Sequence, residues 1–402
     1  MWILKIYFFL IKFFYSKLAY YLLFIIKNKD INYLDKSLIK FIQMKKISLL
    51  FLFITFFFCG FSQEIDTNIT NKKTDTIFTV TPEDNQKAEK LYNDGILLFD
   101  QGKLKEALKM FDEAILINQN FEKAYYNRGS IKYELGDYSG AISDFNNVII
   151  FKPSDKAYFS RGLARYKLKD KQGATRDYEK TIEINPNHAQ AYYYKGFMKF
   201  EKKNYEGAIK DYSEAIRIKP DYAYAYNDRG SAKRMLEKYQ DALLDYRKAT
   251  QLNPQLAFAF ENLGSIKKKL EDYKGAIIEY SSAILIKSDY YLAYNNRGSV
   301  YFEMGEYEKA IEDYNQAIKL DPKYAFAYNN RGNAKYKLLK YEDAILDYNK
   351  AIELKPDYGY AFLNRGISKE MIRDDKGACS DWEKAFSLGV SSAENYINSQ
   401  CK

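Results

Sequence analysis

Bond-making chemistry needs a nucleophile with a base, or a metal, and this sequence offers few of either. His188 is its one histidine, and its three cysteines stand at 59, 379 and 401. Any Ser/His/Asp triad would have to borrow His188, and no His and Cys cluster has zinc spacing. What recurs instead is the side-chain amide. Asn93, Asn127, Asn262, Asn296, Asn330 and Asn364 stand at one place in a repeating register. Asparagine presents donor and acceptor together, which suits a peptide backbone of unspecified sequence. One residue earlier in the register come Tyr92, Tyr126, Phe159 and Tyr193, and six residues later come Phe99, Tyr133, Tyr166 and Phe200. Farther along the chain the first of these places holds Asn227, Glu261, Asn295 and Asn329, and the second holds Arg234 and Lys268. Exposed aromatic ladders mark binding surfaces, while the bland alternative is that they pack on neighbouring elements. The expectation is recognition without catalysis, with no cofactor and no metal.

The elements that must position these residues are legible from glycine at 95, 129, 162, 196, 230, 264, 298, 332 and 366, a spacing of 34 residues broken once by 33. A period of that length is the signature of a solenoid of helix pairs. With each unit numbered from seven residues before its glycine, position 20 is Ala in all nine units, from Ala107 to Ala378. Position 24 is always aromatic, from Phe111 to Trp382, and six of the seven prolines fall at position 32. Proline there ends the second helix and sets the turn into the next unit. The asparagines occupy position 6, the two aromatic ladders positions 5 and 12. Positions 2, 5, 6, 9, 12 and 13 point away from the face of helix A that meets helix B, so they should line a concave wall.

This interleaving of small and aromatic positions resembles the tetratricopeptide repeat over residues 88–392, with units 88–121, 122–154, 155–188, 189–222, 223–256, 257–290, 291–324, 325–358 and 359–392. The resemblance implies an all-α, right-handed superhelical solenoid of antiparallel helix pairs with a groove lined by A helices. It implies a protein or an extended peptide segment as partner. A comparable asparagine ladder occurs in the superhelices of O-linked N-acetylglucosamine transferases. Ser160, Tyr194 and Asp228 interrupt the ladder here, which counts against one continuous peptide track.

Position 7 is basic in Arg128, Arg161, Lys195, Arg229, Arg297, Arg331 and Arg365, and position 23 is acidic in the same seven units. Matched presence predicts an ion pair between helices A and B of each unit, the alternative being a basic stripe for an anionic ligand. The sixth unit departs, with Leu263 and Glu279. Position 3 is Ala wherever a unit has a predecessor and Lys90 in the first, as a capping unit should show. Thr81, Pro82 and Asp84 predict the start of the first helix. Ser391 with Glu394 predicts a capping box for a C-terminal helix over 392–402. Cys379 at position 21 and Cys401 on that last helix should be able to meet and form a disulfide, two free thiols being the alternative.

The formal charge of +9 sits mostly in the first 63 residues, which carry nine Lys and two Asp. The remaining balance of +2 gives no nucleic-acid footprint. Met44-Lys45-Lys46, the apolar run from Ile47 to Phe58 and the small residues Gly60 and Ser62 form a signal peptide over 44–62, with cleavage before Gln63. Residues 63–81 read as a flexible linker. Residues 1–43 read as an upstream extension outside the true coding start, or as the first arm of a membrane hairpin. The chain is therefore expected to be an extracytoplasmic bacterial scaffold, periplasmic or secreted, that binds protein in its groove. The alternatives are anchorage through an uncleaved leader and a carbohydrate or cell-wall binding role for the same groove.

Overall fold

The computed structural model describes residues 81–401; the expectations for 1–43, 44–62 and 63–80 lie outside the described residues. Two helices alternate through nine units. The A helices are α1 (Pro82–Asp100), α3 (Glu122–Glu134), α5 (Asp155–Lys167), α7 (Ala189–Glu201), α9 (Ala223–Met235), α11 (Ala257–Lys269), α13 (Tyr291–Glu303), α15 (Ala325–Lys337) and α17 (Gly359–Met371). The B helices are α2 (Leu104–Ile117), α4 (Tyr138–Phe151), α6 (Lys171–Ile184), α8 (Tyr205–Ile218), α10 (Tyr239–Leu252), α12 (Tyr273–Ile286), α14 (Tyr307–Leu320), α16 (Tyr341–Leu354) and α18 (Asp375–Ser387), and α19 (Ala393–Gln400) closes the array. Every helix packs on its neighbours in sequence, and the closest approaches beyond those are between successive A helices, such as α9 with α11 and α11 with α13. That places the A helices on the inner side of the stack. None of the described helices is long and apolar enough to cross a membrane.

Short turns make each pair antiparallel. In the first, Lys103 N–H bonds the Leu98 carbonyl and Gly102 N–H bonds that of Phe99, which closes the A helix through a left-handed residue. Position 15 takes positive φ in all nine units, yet only Gly102, Gly136 and Gly305 are glycines there; Lys169, Lys203, Glu237, Glu271, Leu339 and Arg373 hold the same conformation. The turn geometry is thus imposed by packing of the pair and not by local preference.

Inside each unit the glycine at position 8 receives the ring at position 24. A Cβ on Gly332 would lie 2.7 Å from the Tyr348 ring, and one on Gly264 would lie 2.9 Å from the ring of Tyr280. The alanines at positions 3 and 20 are fully buried, whereas Lys90 at the open end is exposed. The first helix starts with the expected capping box between Thr81 and Asp84, with Pro82 in its first turn.

The charges at positions 7 and 23 form inter-helix pairs. Arg331, for example, donates from Nε and Nη2 to the two carboxylate oxygens of Asp347 at 2.9 and 2.6 Å. Its Nη1 donates to Asn315 on the preceding B helix at 2.7 Å, so one guanidinium ties three helices together. A second cation at position 11, Lys335, reaches the same carboxylate at 2.8 Å. The seventh unit has Tyr301 at position 11, and Arg297 alone faces Asp313. Burial there raises the Asp313 carboxyl above its ordinary pKa despite the guanidinium. In the sixth unit Lys267 at position 11 takes over and pairs with Glu279 at 2.6 Å.

At the C-terminus one expectation is corrected. The last helix begins after Ser392, whose side chain makes no capping bond. Glu394 N–H bonds the Ser391 backbone carbonyl at 3.1 Å, so a backbone turn satisfies the donor that the Ser391 hydroxyl was expected to take. The helix still covers the end of the core: Tyr396 stacks on Trp382 with ring centroids 5.0 Å apart. Cys379 and Cys401 are joined by a disulfide in the structure, with Cα atoms 5.7 Å apart.

Candidate binding groove

The inner wall is built from the A helices, and its asparagines are spent largely on one another. Asn127 donates from Nδ2 to the Tyr92 hydroxyl at 2.9 Å. Asn262 donates to Asn227 at 3.0 Å, Asn296 to Glu261 at 2.8 Å, Asn330 to Asn295 at 3.0 Å and Asn364 to Asn329 at 3.1 Å. Each bond links position 6 of one unit to position 5 of the unit before. Asn93 has no preceding unit and stands exposed.

The same rule accounts for the interruptions of the ladder. Ser160 meets the Tyr126 hydroxyl at 3.2 Å, Tyr194 packs on Phe159 at 5.7 Å between centroids, and Asp228 accepts from the Tyr193 hydroxyl at 2.7 Å. Positions 5 and 6 are therefore matched partners across all eight interfaces. The expectation that Phe159 belongs to an open aromatic wall is corrected, because its ring is buried, packed against Tyr178 and His188 as well. Tyr92, Tyr126 and Tyr193 are half-buried in the same seams. The signal that could have revealed this is the pairing of residue types 35 places apart, Tyr with Asn, Tyr with Asp, Asn with Asn.

Position 12 is more open. Tyr133 stands edge-on to Tyr138 at 5.4 Å and Tyr166 edge-on to Phe197 at 5.9 Å, each half-buried. Arg234 is exposed, and Lys268 is half-buried with Nζ donating to the Ser299 hydroxyl at 2.5 Å. Burial holds the Lys268 ammonium below its ordinary pKa. Two inward carboxyls accompany these cations. Asp228 and Glu261 are both pushed upward by burial, and each is held by two donors: Tyr193 and Asn227 for Asp228, Ser265 and Asn296 for Glu261.

Position 9 decides how well the buried ring hydroxyls are satisfied. Tyr246, Tyr280 and Tyr348 reach Ser231, Ser265 and Asn333 at 3.1, 3.1 and 2.8 Å. In the third and fourth units position 9 is Leu163 and Phe197, and the hydroxyls of Tyr178 and Tyr212 find no partner among the described residues. His188 is a helix cap: its Nδ1 accepts from the Ala191 N–H at 3.2 Å, its ring lies 4.6 Å from that of Phe159, and burial lowers its pKa.

A cavity of about 200 Å³ opens on the inner wall among Phe302, Asn333, Tyr336, Asn364 and Ile367. Another, of about 290 Å³, lies at the first unit beside Asn85, Asn118 and Phe121. Both are at or below the low end of small-molecule sites and suit side chains of a larger partner. Among the described residues no group of three His, Cys, Asp or Glu is placed to hold a metal ion.

Comparison with known proteins agrees with this architecture. A family model described as TPR repeat matches residues 95–136, 196–236 and 298–338, and models described as tetratricopeptide repeat match 122–155, 155–188, 177–210 and 325–358. No curated protein matches the chain. Among solved structures, the Cut9–Hcn1 hetero-tetramer of APC/C is similar over 78% of this chain and 76% of that one, at 13% identity and a TM-score of 0.51. YrrB, described as a TPR protein with an unusual peptide-binding site, is 25% identical over 46% of this chain and 95% of its own, with a TM-score of 0.40. MamA is 28% identical over 40% of this chain and 94% of its own, with a TM-score of 0.38. The matched segments fall in register with the glycine period and the stacked helix pairs, and the chain belongs to the tetratricopeptide repeat family.

Proposed function

We propose that the chain is a non-catalytic scaffold, exported from the cytoplasm, that captures a segment of another protein along the inner wall of its A helices. The observation that carries this reading is the inner wall itself: at position 12 the A helices present half-buried rings and cations, with a cavity of side-chain size beside Tyr336 and Asn333. The single histidine caps a helix, and the half-buried Lys268 on the wall donates to the Ser299 hydroxyl. Export is supported by the signal-peptide pattern of residues 44–62 and by the Cys379–Cys401 bond, because disulfides persist in oxidising compartments.

Site-specific photocrosslinking in the native host tests the reading. A benzoyl-phenylalanine at Tyr336 on the inner wall should give discrete protein adducts, and one at Leu346 on the outer B helix should give none. Sequencing the same purified material from its N-terminus should begin near Gln63. Adducts only from Leu346 would remove the groove, and an intact cytoplasmic chain beginning at Met44 would remove export. The carbohydrate reading is favoured instead if glycans from the cell envelope bind and Tyr336 gives no protein adduct.

A further inference from the structure

Position 2 of the repeat, on helix A, changes character halfway along the described units. It is Glu89, Lys123, Lys156 and Gln190 in the first four units, then Tyr224, Phe258, Leu292, Phe326 and Tyr360 in the last five. Tyr224, Phe326 and Tyr360 remain 46%, 42% and 60% exposed. Position 2 lies one helical turn before positions 5 and 6 on the same stripe. The rings of Tyr224 and Phe258 approach to 5.9 Å, and Phe326 packs on Tyr324 and on Tyr358 just before the next A helix, so apolar side chains at this position are linked from unit to unit. Three exposed rings in register, with Phe258 and Leu292 half-buried between them, mark an interaction site.

A charge feature lies on the same units. Position 12, aromatic in most units, is Arg234 and Lys268 in the fifth and sixth. Arg234 holds no ion pair among the described residues, and Lys268 has only the neutral Ser299 hydroxyl as hydrogen-bond partner. The nearby acids Asp228 and Glu261 are turned inward on their own donors; the field of Arg234 reaches Glu261 without an ion pair, and the exposed carboxylate of Glu303 acts in the same way on Lys268. Two adjacent cations interrupting an aromatic row offer charge complementarity to an acid.

We propose that the inner wall of units five to nine binds one extended polypeptide segment whose acidic side chain lies over Arg234 and Lys268 and whose apolar side chains follow the rim from Tyr224 to Tyr360. The proposal rests on the groove reading and narrows it to a partner chemistry. A neutral glycan would use the aromatic faces but has no group for the cations. The polar rim of units one to four lies outside the bound segment.

Random dodecapeptides displayed on phage and panned against the full chain test this. The enriched peptides should share an Asp or Glu together with at least two Phe, Tyr, Leu or Ile. A fluorescein-labelled consensus peptide should lose at least tenfold in affinity with Arg234→Glu, and at least tenfold with Tyr224→Ser and Tyr360→Ser together. These residues are exposed, and circular dichroism of each variant should match the parent. Enriched peptides without an acid, or a consensus peptide indifferent to both variants, would overturn the proposal. If Tyr133→Ala with Tyr166→Ala abolishes binding instead, the groove survives and this assignment falls. If no peptide is enriched and an acidic oligosaccharide binds, both fall.

Discussion

A single hydroxyl separates rings that are otherwise equivalent. Tyr212 and Tyr246 fill the same place beside the glycine of their units, but Tyr246 donates to Ser231 and Tyr212 donates to nothing. An unsatisfied buried hydroxyl carries its desolvation cost without return. Tyr212→Phe should therefore leave stability unchanged or raise it by up to about 1 kcal/mol, while Tyr246→Phe should cost about 1 kcal/mol, both read from urea unfolding. His188 supplies a second residue-level test. Burial lowers its folded pKa, so as pH falls through about 6.5 the unfolded chain takes up a proton that the folded chain refuses. Stability is full above that pH and declines below it. The loss between pH 7 and 5.5 should be absent in His188→Asn, which keeps a cap acceptor but does not titrate. A pH dependence equal in both proteins would show that His188 is not the group responsible.

At the scale of the helix pair, the guanidinium and the lysine around each buried aspartate act as one unit. Asp347→Asn leaves Arg331 and Lys335 half-buried without their anion, and breaking such a pair from one side costs about 3 kcal/mol. Asp313 has one cation and a carboxyl already raised by burial. A folded pKa above the unfolded value means that the stabilising contribution is present at low pH and lost as pH rises through it. Asp313→Asn strands one cation, Arg297, and removes a carboxylate that burial already disfavours, so it should cost less than Asp347→Asn at pH 7, and an equal cost would contradict the two-cation account. The turns report the same subordination of local preference to packing. Leu339 and Arg373 hold positive φ that glycine would hold without strain, because the next B helix must begin where its aromatic can reach the glycine of helix A.

Across the whole molecule, the matched partners at positions 5 and 6 make the order of units matter. Removing residues 291–324 would bring Glu261 opposite Asn330, the same chemistry as its native bond to Asn296. Removing residues 189–222 would set the ring of Phe159 against Asp228, which now accepts from Tyr193. The first deletion should unfold cooperatively with a melting temperature within a few degrees of the parent. The second should lose an additional ~1 to 3 kcal/mol, as a buried carboxylate does when it loses the Tyr193 donor and keeps only Asn227. Equal stability of the two deletions would show that the seams tolerate any pairing. Neighbour-only contact is what makes such experiments interpretable, since each unit touches little beyond the next.

The amino-acid sequence by itself determined the period, the helix pairs, the small-to-aromatic contact of Gly with Tyr, the ion pairs and the capping box of the first helix, because each rests on spacing within about 34 residues and on side-chain size. It also placed Cys379 and Cys401 within reach, through a repeat position that mostly carries Ile or Leu facing the next A helix. Which wall residues remain open was decided by tertiary structure. Tyr92, Tyr126 and Phe159 read as an aromatic surface when helix A is drawn alone, since a helical stripe does not say whether solvent or another helix covers it. Successive A helices approach closely enough to take those rings and the asparagines into their seams, and they leave Tyr224, Phe326 and Tyr360, one turn nearer the helix start, standing at the rim. Exposure is a property of the stack, set by how far each turn of the helix lies from its neighbour, and no single unit contains it.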